Sequence, residues 1–134
     1  RSKLSQAYYY GCRHVGSWGF KDEMQAKYKV FYALKLFGDL VKCYPTICAS
    51  TSEGAYTTFA VKSADGAKKA LLVVDYGGKA RTLTLDVKGV AAVKACSVLD
   101  YTRDLAHQAA TLKDGRLTLE KSDDNSAAFF VEFE

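Results

Sequence analysis

The stretch Lys21–Tyr44, KDEMQAKYKVFYALKLFGDLVKCY, runs into Pro45, and the hydrophobic pattern changes there from a helical period to an alternating one. On a wheel of 100° per residue, Tyr32, Cys43, Leu36, Leu40, Ala33, Tyr44, Phe37, Val30, Val41 and Leu34 fill an arc of roughly 200°, broken only by Lys29. Lys35, Asp39 and Lys42 hold the opposite side, with Phe31 intruding. The pattern predicts the longest helix of the chain over 21–44, stopped by the proline just past its end. A helix resting on one sheet needs an apolar stripe only a little over about 100° wide. The wider arc predicts partners on two sides.

Ahead of this helix, Tyr8–Cys12 reads as a short aromatic strand, and Arg13–Phe20, with Gly16 and Gly19 around Trp18, as a loop. Behind it the pattern predicts strands and turns. Ala55–Lys62 (AYTTFAVK) is a strand, followed by the turn Ala64-Asp65-Gly66. Lys69–Tyr76 (KALLVVDY) is nearly all apolar, as a strand central in its sheet is. Tyr76-Gly77-Gly78-Lys79 predicts a hairpin turn, and Ala80–Lys88 alternates with Leu83, Leu85 and Val87 on one face. Val93–Leu99 is a strand and Asp100–Ala110 is irregular. Lys113-Asp114-Gly115-Arg116 is a second hairpin turn leading into Leu117–Glu120. Lys121–Ser126 is a polar turn, and Ala128–Glu134 closes the chain as a strand. The expected fold class is mainly β: an antiparallel β-sandwich of about 6–8 strands preceded by one long α-helix. Residues 1–46 carry the strand, aromatic loop and helix, and 47–134 carry the sandwich.

The formal net charge of the 134 residues is +4, and the lysines are interleaved with acids. That spread is a solvated face, so nucleic acid is not an expected partner. No apolar run reaches the length of about 18 residues that crosses a bilayer, so no membrane-spanning helix is expected. The chain opens Arg1-Ser2-Lys3 and its only methionine is Met24, from which a piece of a longer polypeptide is expected. Cys12, Cys43, Cys48 and Cys96 form no C-x-x-C pair, and His14 and His107 lie far apart, so neither a metal site nor a cofactor is expected. Cys43 and Cys48 flank the proline turn; a local disulfide and buried free thiols both remain open.

Catalytic groups are scarce. Cys12 and His14 share a strand face, but no third group orients the histidine. Glycoside hydrolysis needs two carboxylates facing each other across a cleft. The acids lie instead at turns (Asp65, Asp114), at strand ends (Asp75, Asp100, Glu120) and in the polar turn Asp123-Asp124, so no catalytic residue is assigned. Asp123-Asp124-Asn125 lacks the ligand ladder of a calcium loop, and Gly77-Gly78 has no helix behind it to receive an anion. The aromatics Tyr8, Tyr9, Tyr10, Trp18 and Phe20 cluster at the strand–loop junction, and flat rings of this kind stack on sugar faces as well as in cores. Trp18 is the candidate sugar-binding residue.

Gly16-Ser-Trp18-Gly-Phe20 followed by Lys29–Leu40 (KVFYALKLFGDL) resembles the last strand and last helix of (β/α)8-barrel glycoside hydrolases of the β-xylosidase-like and endoglucanase-like groups. In those a W-G-L/F segment precedes P-x-Y-Y-A-L-K-L-F. Ala67–Tyr76 (AKKALLVVDY) resembles the G-x-x-x-L-L-V-x-N-Y strand of the β-sandwich that follows, with Asp75 where Asn is usual. Gly115–Leu119 and Ala128–Glu134 resemble its last two strands, and Lys27-Tyr28-Lys29 replaces the usual proline. The resemblance implies the carboxy-terminal region of a bacterial, periplasmic or extracellular glycoside hydrolase, non-catalytic itself because the catalytic glutamates lie on earlier barrel strands outside the chain. It implies the catalytic barrel of the same parent chain as partner, poly- or oligosaccharide as ligand, and Trp18 at the position that often lines a sugar subsite. It also gives the wide apolar arc a cause, contact with barrel and sandwich together; in the isolated chain a homodimer through the helix would cover that surface. Two readings of other classes compete: a carbohydrate-binding module presenting Tyr56, Tyr76 and Tyr101, and a generic protein-interaction sandwich.

Overall fold

The computed structural model describes residues 27–134. They form helix α1 (Lys29–Cys43) and strands β1 (Thr46–Glu53), β2 (Tyr56–Lys62), β3 (Lys69–Asp75), β4 (Arg81–Asp86), β5 (Val93–Leu99), β6 (Asp104–His107), β7 (Thr111–Lys113), β8 (Arg116–Lys121) and β9 (Ala127–Phe133). The strands build a six-stranded sheet, β1-β2-β3-β9-β5-β6, and a three-stranded sheet, β4-β8-β7, with every pairing antiparallel. The expected mainly β fold with one helix is the observed one.

Alternation along β3 and β9 sets the three layers. Leu71, Val73, Phe129, Val131 and Phe133 point to one face, where with Cys96 and Val98 they meet Leu83, Leu117 and Leu119 of the small sheet. The intervening Ala70, Leu72 and Phe130 point to the other face and meet Leu40 and Tyr44 of α1, together with Phe59 and Val61. The near-continuous apolar run of β3 follows from burial on both faces. Tyr44 closes the helix: its N–H bonds the Leu40 carbonyl at 2.8 Å, its ring meets Phe130 edge-on at 5.7 Å, and its hydroxyl donates to Glu132 Oε1 at 2.5 Å. Burial and the neighbouring Glu132 raise the Tyr44 phenol well above its ordinary pKa.

Four expectations are corrected. The helix starts at Lys29, not Lys21, because Tyr28 is extended (φ −80°, ψ 163°) and the apolar stripe that reaches the sheet begins only at Val30; the first turn has no side-chain cap and no acid to extend it. Residues 46–53, read without a strand, form β1; all eight are exposed, so Thr46, Ser50, Thr51 and Ser52 show no apolar alternation, and pairing with β2 alone makes the strand. Within the irregular 100–110 segment, Asp104–His107 pairs with β5. Tyr76–Lys79 is not a hairpin turn, since β3 and β4 belong to different sheets and the segment crosses between them. The second turn is a hairpin: Lys113 pairs with Arg116 around Asp114 (φ 52°) and Gly115 (φ 76°), the left-handed pair that a two-residue hairpin requires. The expected strand Tyr8–Cys12, the loop Arg13–Phe20 and positions 21–26 of the expected helix lie outside the described residues.

Phe129 is fully buried on the central strand β9, inside the larger core. Phe129→Ala is expected to cost about 3–5 kcal/mol, because the cavity it leaves is walled by both sheets; urea unfolding of the two proteins measures it.

Candidate functional site

The apolar arc of α1 divides lengthwise. Leu36, Leu40 and Tyr44 succeed one another at steps of four residues, each turned by about 40°, and all three are buried against the sheet. Phe37, Val41 and Leu34 continue the same arc and are 55%, 50% and 40% exposed. A cleft of about 400 Å³ opens beside the amino-terminal half of the helix, between Val30 and Ala33 on one side and Val74, Leu99, Tyr101 and Ala128 on the other. Lys29 reaches Asp104 on β6 at 2.5 Å and anchors that end of the helix across the sheet. The sheet supplies one of the two partners the arc calls for; the outer stripe is the largest apolar feature α1 leaves in water.

The charged groups are mostly absorbed by the fold. Asp75 is fully buried where β3 ends, accepting from Arg81 Nε at 2.8 Å and from the Gly77 N–H at 2.7 Å. Lys121, also buried, donates to the Gly77 and Lys79 carbonyls at 2.5 and 2.8 Å, so β3, the crossing segment and β8 are tied by three ions. Burial pushes the Asp75 carboxyl up, but the Arg81 bond, the Gly77 N–H and the nearby charges outweigh it and hold the group below the ordinary carboxylate range. A Cβ at Gly77 would stand 2.9 Å from Ala55 Cβ and 3.0 Å from Asp75 Oδ1, which is why this position is glycine. Asp100 repeats the arrangement after β5, with Arg103 Nε at 2.7 Å and the N–H groups of Thr102 and Arg103 at 3.0 and 2.8 Å; its carboxyl is also held low against burial. Arg103 goes on to Gln108 and Ser122.

The other carboxylates serve turns and surface pairs. Asp65 accepts from Ser63 and Ala67, Asp123 from Asn125, Asp124 from Ala80, and Glu120 from Thr82. Among the described residues no group of three or more His, Cys, Asp or Glu side chains can hold a metal ion. The reading of Asp75 and Asp100 as plain strand ends misses their burial. The signals for it are the sequences Asp75-x-Gly77 and Asp100-x-Thr-Arg103, in which an aspartate can bond backbone N–H groups two and three residues on.

Trp18, the candidate sugar-binding residue, lies outside the described residues, as do Tyr8, Tyr9, Tyr10, Phe20, Cys12 and His14. The three tyrosines of the binding-module reading do not form one platform. Tyr56 packs on the core between the sheets beneath Arg81, whereas Tyr101, 72% exposed, lines the cleft on the helix side. Tyr76 is tied to the Gly54 carbonyl at 3.3 Å. No bridge joins Cys43 and Cys48, which are free and exposed, so the local disulfide is not formed. The buried-thiol reading holds for Cys96, whose thiol burial pushes up to about 11 against the opposing charge of Arg103.

No family model matches the sequence, and no curated protein matches it. Solved structures do match the fold. A GH30 endoxylanase from Clostridium papyrosolvens superposes with a TM-score of 0.63 at 20% identity, over 87% of this chain and 30% of that one. A glycoside hydrolase family 30 subfamily 8 xylanase from Clostridium acetobutylicum gives 0.63 at 16% identity, over 89% of this chain and 32% of that one. The chain therefore has the fold of a region that makes up about a third of these xylanases and spans 30% and 32% of their lengths.

Asp75→Asn leaves Arg81 and Lys121 without their shared counter-charge and sets an amide NH2 against either Arg81 Nε or the Gly77 N–H, both of which need an acceptor. It is expected to cost about 2 kcal/mol at pH 7, at the low end for a broken buried pair because Arg81 is partly exposed. The carboxyls of Asp75 and Asp100 sit lower folded than unfolded. Their stabilisation is thus complete above the ordinary carboxylate value of about 4 and is lost as pH falls through the lower folded values. Urea melts at pH 7 and pH 3 are expected to show a marked loss on acidification, and a shallower one in Asp75→Asn.

Proposed function

We propose that this chain is a non-catalytic accessory region of a bacterial glycoside hydrolase, and that the outer stripe of α1 packs on the catalytic barrel of the same polypeptide and stabilises it. The observation that carries the reading is the divided arc: one apolar helix, half buried by its own sheet and half in water along Leu34, Phe37 and Val41. The likeness in fold to a third of two xylanases supports it. In this reading hydrolysis belongs to carboxylates of the barrel, the parent acts on a poly- or oligosaccharide in the periplasm or outside the cell, and Trp18 faces the sugar. In the isolated chain the same stripe pairs with that of a second copy.

Covering the exposed half of the Leu34, Phe37 and Val41 side chains is worth about 2–4 kcal/mol by apolar area, enough to matter to a domain of ordinary stability. The double substitution Phe37→Glu with Val41→Glu is expected to lower the melting temperature of the parent enzyme by several degrees; in the 134-residue chain it abolishes the dimer in sedimentation and leaves a melting temperature within about a degree of that of the unsubstituted chain at dilutions where it is monomeric. An unchanged parent melting temperature would count against the reading.

A further inference from the structure

On the helix face of the six-stranded sheet, β9 carries Phe130 and, two residues earlier on the same face, Ala128. Phe130 fills the space between sheet and helix, its ring 5.7 Å from that of Tyr44. Ala128 does not. It stands in register between Val74 of β3 and Leu99 of β5, so a small side chain lies between two larger ones where Val30 and Ala33 of α1 come near. The step from phenylalanine to alanine along β9 opens the cleft of about 400 Å³ beside the amino-terminal half of α1.

The ions that line the cleft are already matched. Lys29 pairs with Asp104, and the buried Asp100 pairs with Arg103. The polar groups left over are neutral: the exposed Asn125 amide and Ser126 hydroxyl, which with the Tyr101 hydroxyl have no hydrogen-bond partner among the described residues. Tyr101 belongs to neither core cluster and is 72% exposed. Its backbone is nonetheless fixed. Asp100 Oδ1 accepts from the Thr102 and Arg103 N–H groups at 3.0 and 2.8 Å, and Arg103 is held in turn by Gln108 and Ser122. A ring in water is thus carried on a turn anchored by a buried ion pair.

We infer that this cleft binds a neutral pyranose chain, stacked on Tyr101 and hydrogen-bonded by Asn125 and Ser126. A pyranose ring has an apolar face of C–H groups and a rim of uncharged hydroxyls. That is the complement of an aromatic ring and an apolar floor edged by an amide and a hydroxyl. A charged ligand would meet no unmatched ion here, and a wholly apolar one would strip water from Asn125 and Ser126 without replacing its hydrogen bonds. The volume falls within the range of about 300–1,000 Å³ usual for small-molecule sites. Because the turn is rigid before a ligand arrives, little ordering entropy opposes stacking. The choice of a saccharide among uncharged ligands rests on the proposal that the parent acts on one.

Titration of the 134-residue chain with xylohexaose and with cellohexaose, followed by amide NMR shifts, tests it. The chain used carries Phe37→Glu with Val41→Glu, so that a second copy does not cover the cleft. Saturable shifts are expected at Tyr101, Thr102, Asn125 and Ser126 with at least one of the two sugars. Tyr101→Ala is expected to weaken binding at least about tenfold, and Tyr101→Phe, which keeps the ring, by no more than about threefold. Ala128→Leu, which fills the cleft from the sheet side, should abolish the shifts, and Tyr76→Ala should leave them unchanged. No saturable shift with either sugar, the result if a segment of the polypeptide fills the cleft instead, overturns the inference, as do shifts that survive Tyr101→Ala. Assay of the parent on polysaccharide separates the site from the reading it rests on. Hydrolysis by the parent without binding by this chain rejects the cleft alone; binding by this chain without hydrolysis by the parent keeps the cleft and rejects the enzyme reading.

Discussion

The burial of β3 and β9 on both faces is the constraint on which the rest of the structure depends. Each strand carries one apolar set towards the small sheet, with Val73, Phe129 and Val131 fully buried, and a second set towards α1, with Ala70, Leu72 and Phe130. Neither set can be left in water, so the sheet needs a layer on each side: leucine-bearing strands below and a helix above. On the helix side Leu72 and Phe130 flank Ala70 beneath Leu40 and Tyr44, and on the other side Leu71, Val73, Phe129 and Val131 face the leucines of the small sheet.

A chain that passes from one sheet to another must carry backbone polar groups through a buried corner. The corner at residues 75–81 solves this with ions: Lys121 takes two carbonyls of the crossing segment, and Asp75 takes the Gly77 N–H and the guanidinium of Arg81. Apolar residues would fill the same volume, but they would leave the Gly77 and Lys79 carbonyls unsatisfied, and a buried carbonyl without a donor is the larger cost. Asp100 and Arg103 do the same at the end of β5. Acids at strand ends are easily read as catalytic candidates; these two are consumed in making corners.

The proposed docking stripe lies on α1, on the side of the six-stranded sheet away from the small sheet. It arises from a mismatch of surfaces, since the sheet covers only part of the helix's apolar arc. In the proposed reading the remainder of the polypeptide brings the missing surface at no cost in bimolecular association.

The sequence alone determined the class of the fold: one apolar helix stopped by Pro45, the central strand Lys69–Asp75, and the two-residue turn at Asp114-Gly115 are dictated by local periodicity and by backbone conformations few residues adopt. The wide arc of α1 was legible as well, since it needs only the order of the residues. What tertiary structure decided is everything that depends on a partner distant in the chain. β1 has no periodicity of its own and is a strand because β2 lies beside it. Tyr76–Lys79 carries a hairpin's residues, yet it crosses between sheets, because the open edge beside β3 is taken by β9 and its corner is held by Lys121, more than forty residues away. Which half of the arc is buried, and which acids become structural ions, follow from where the sheet meets the helix, and no local pattern encodes that distance.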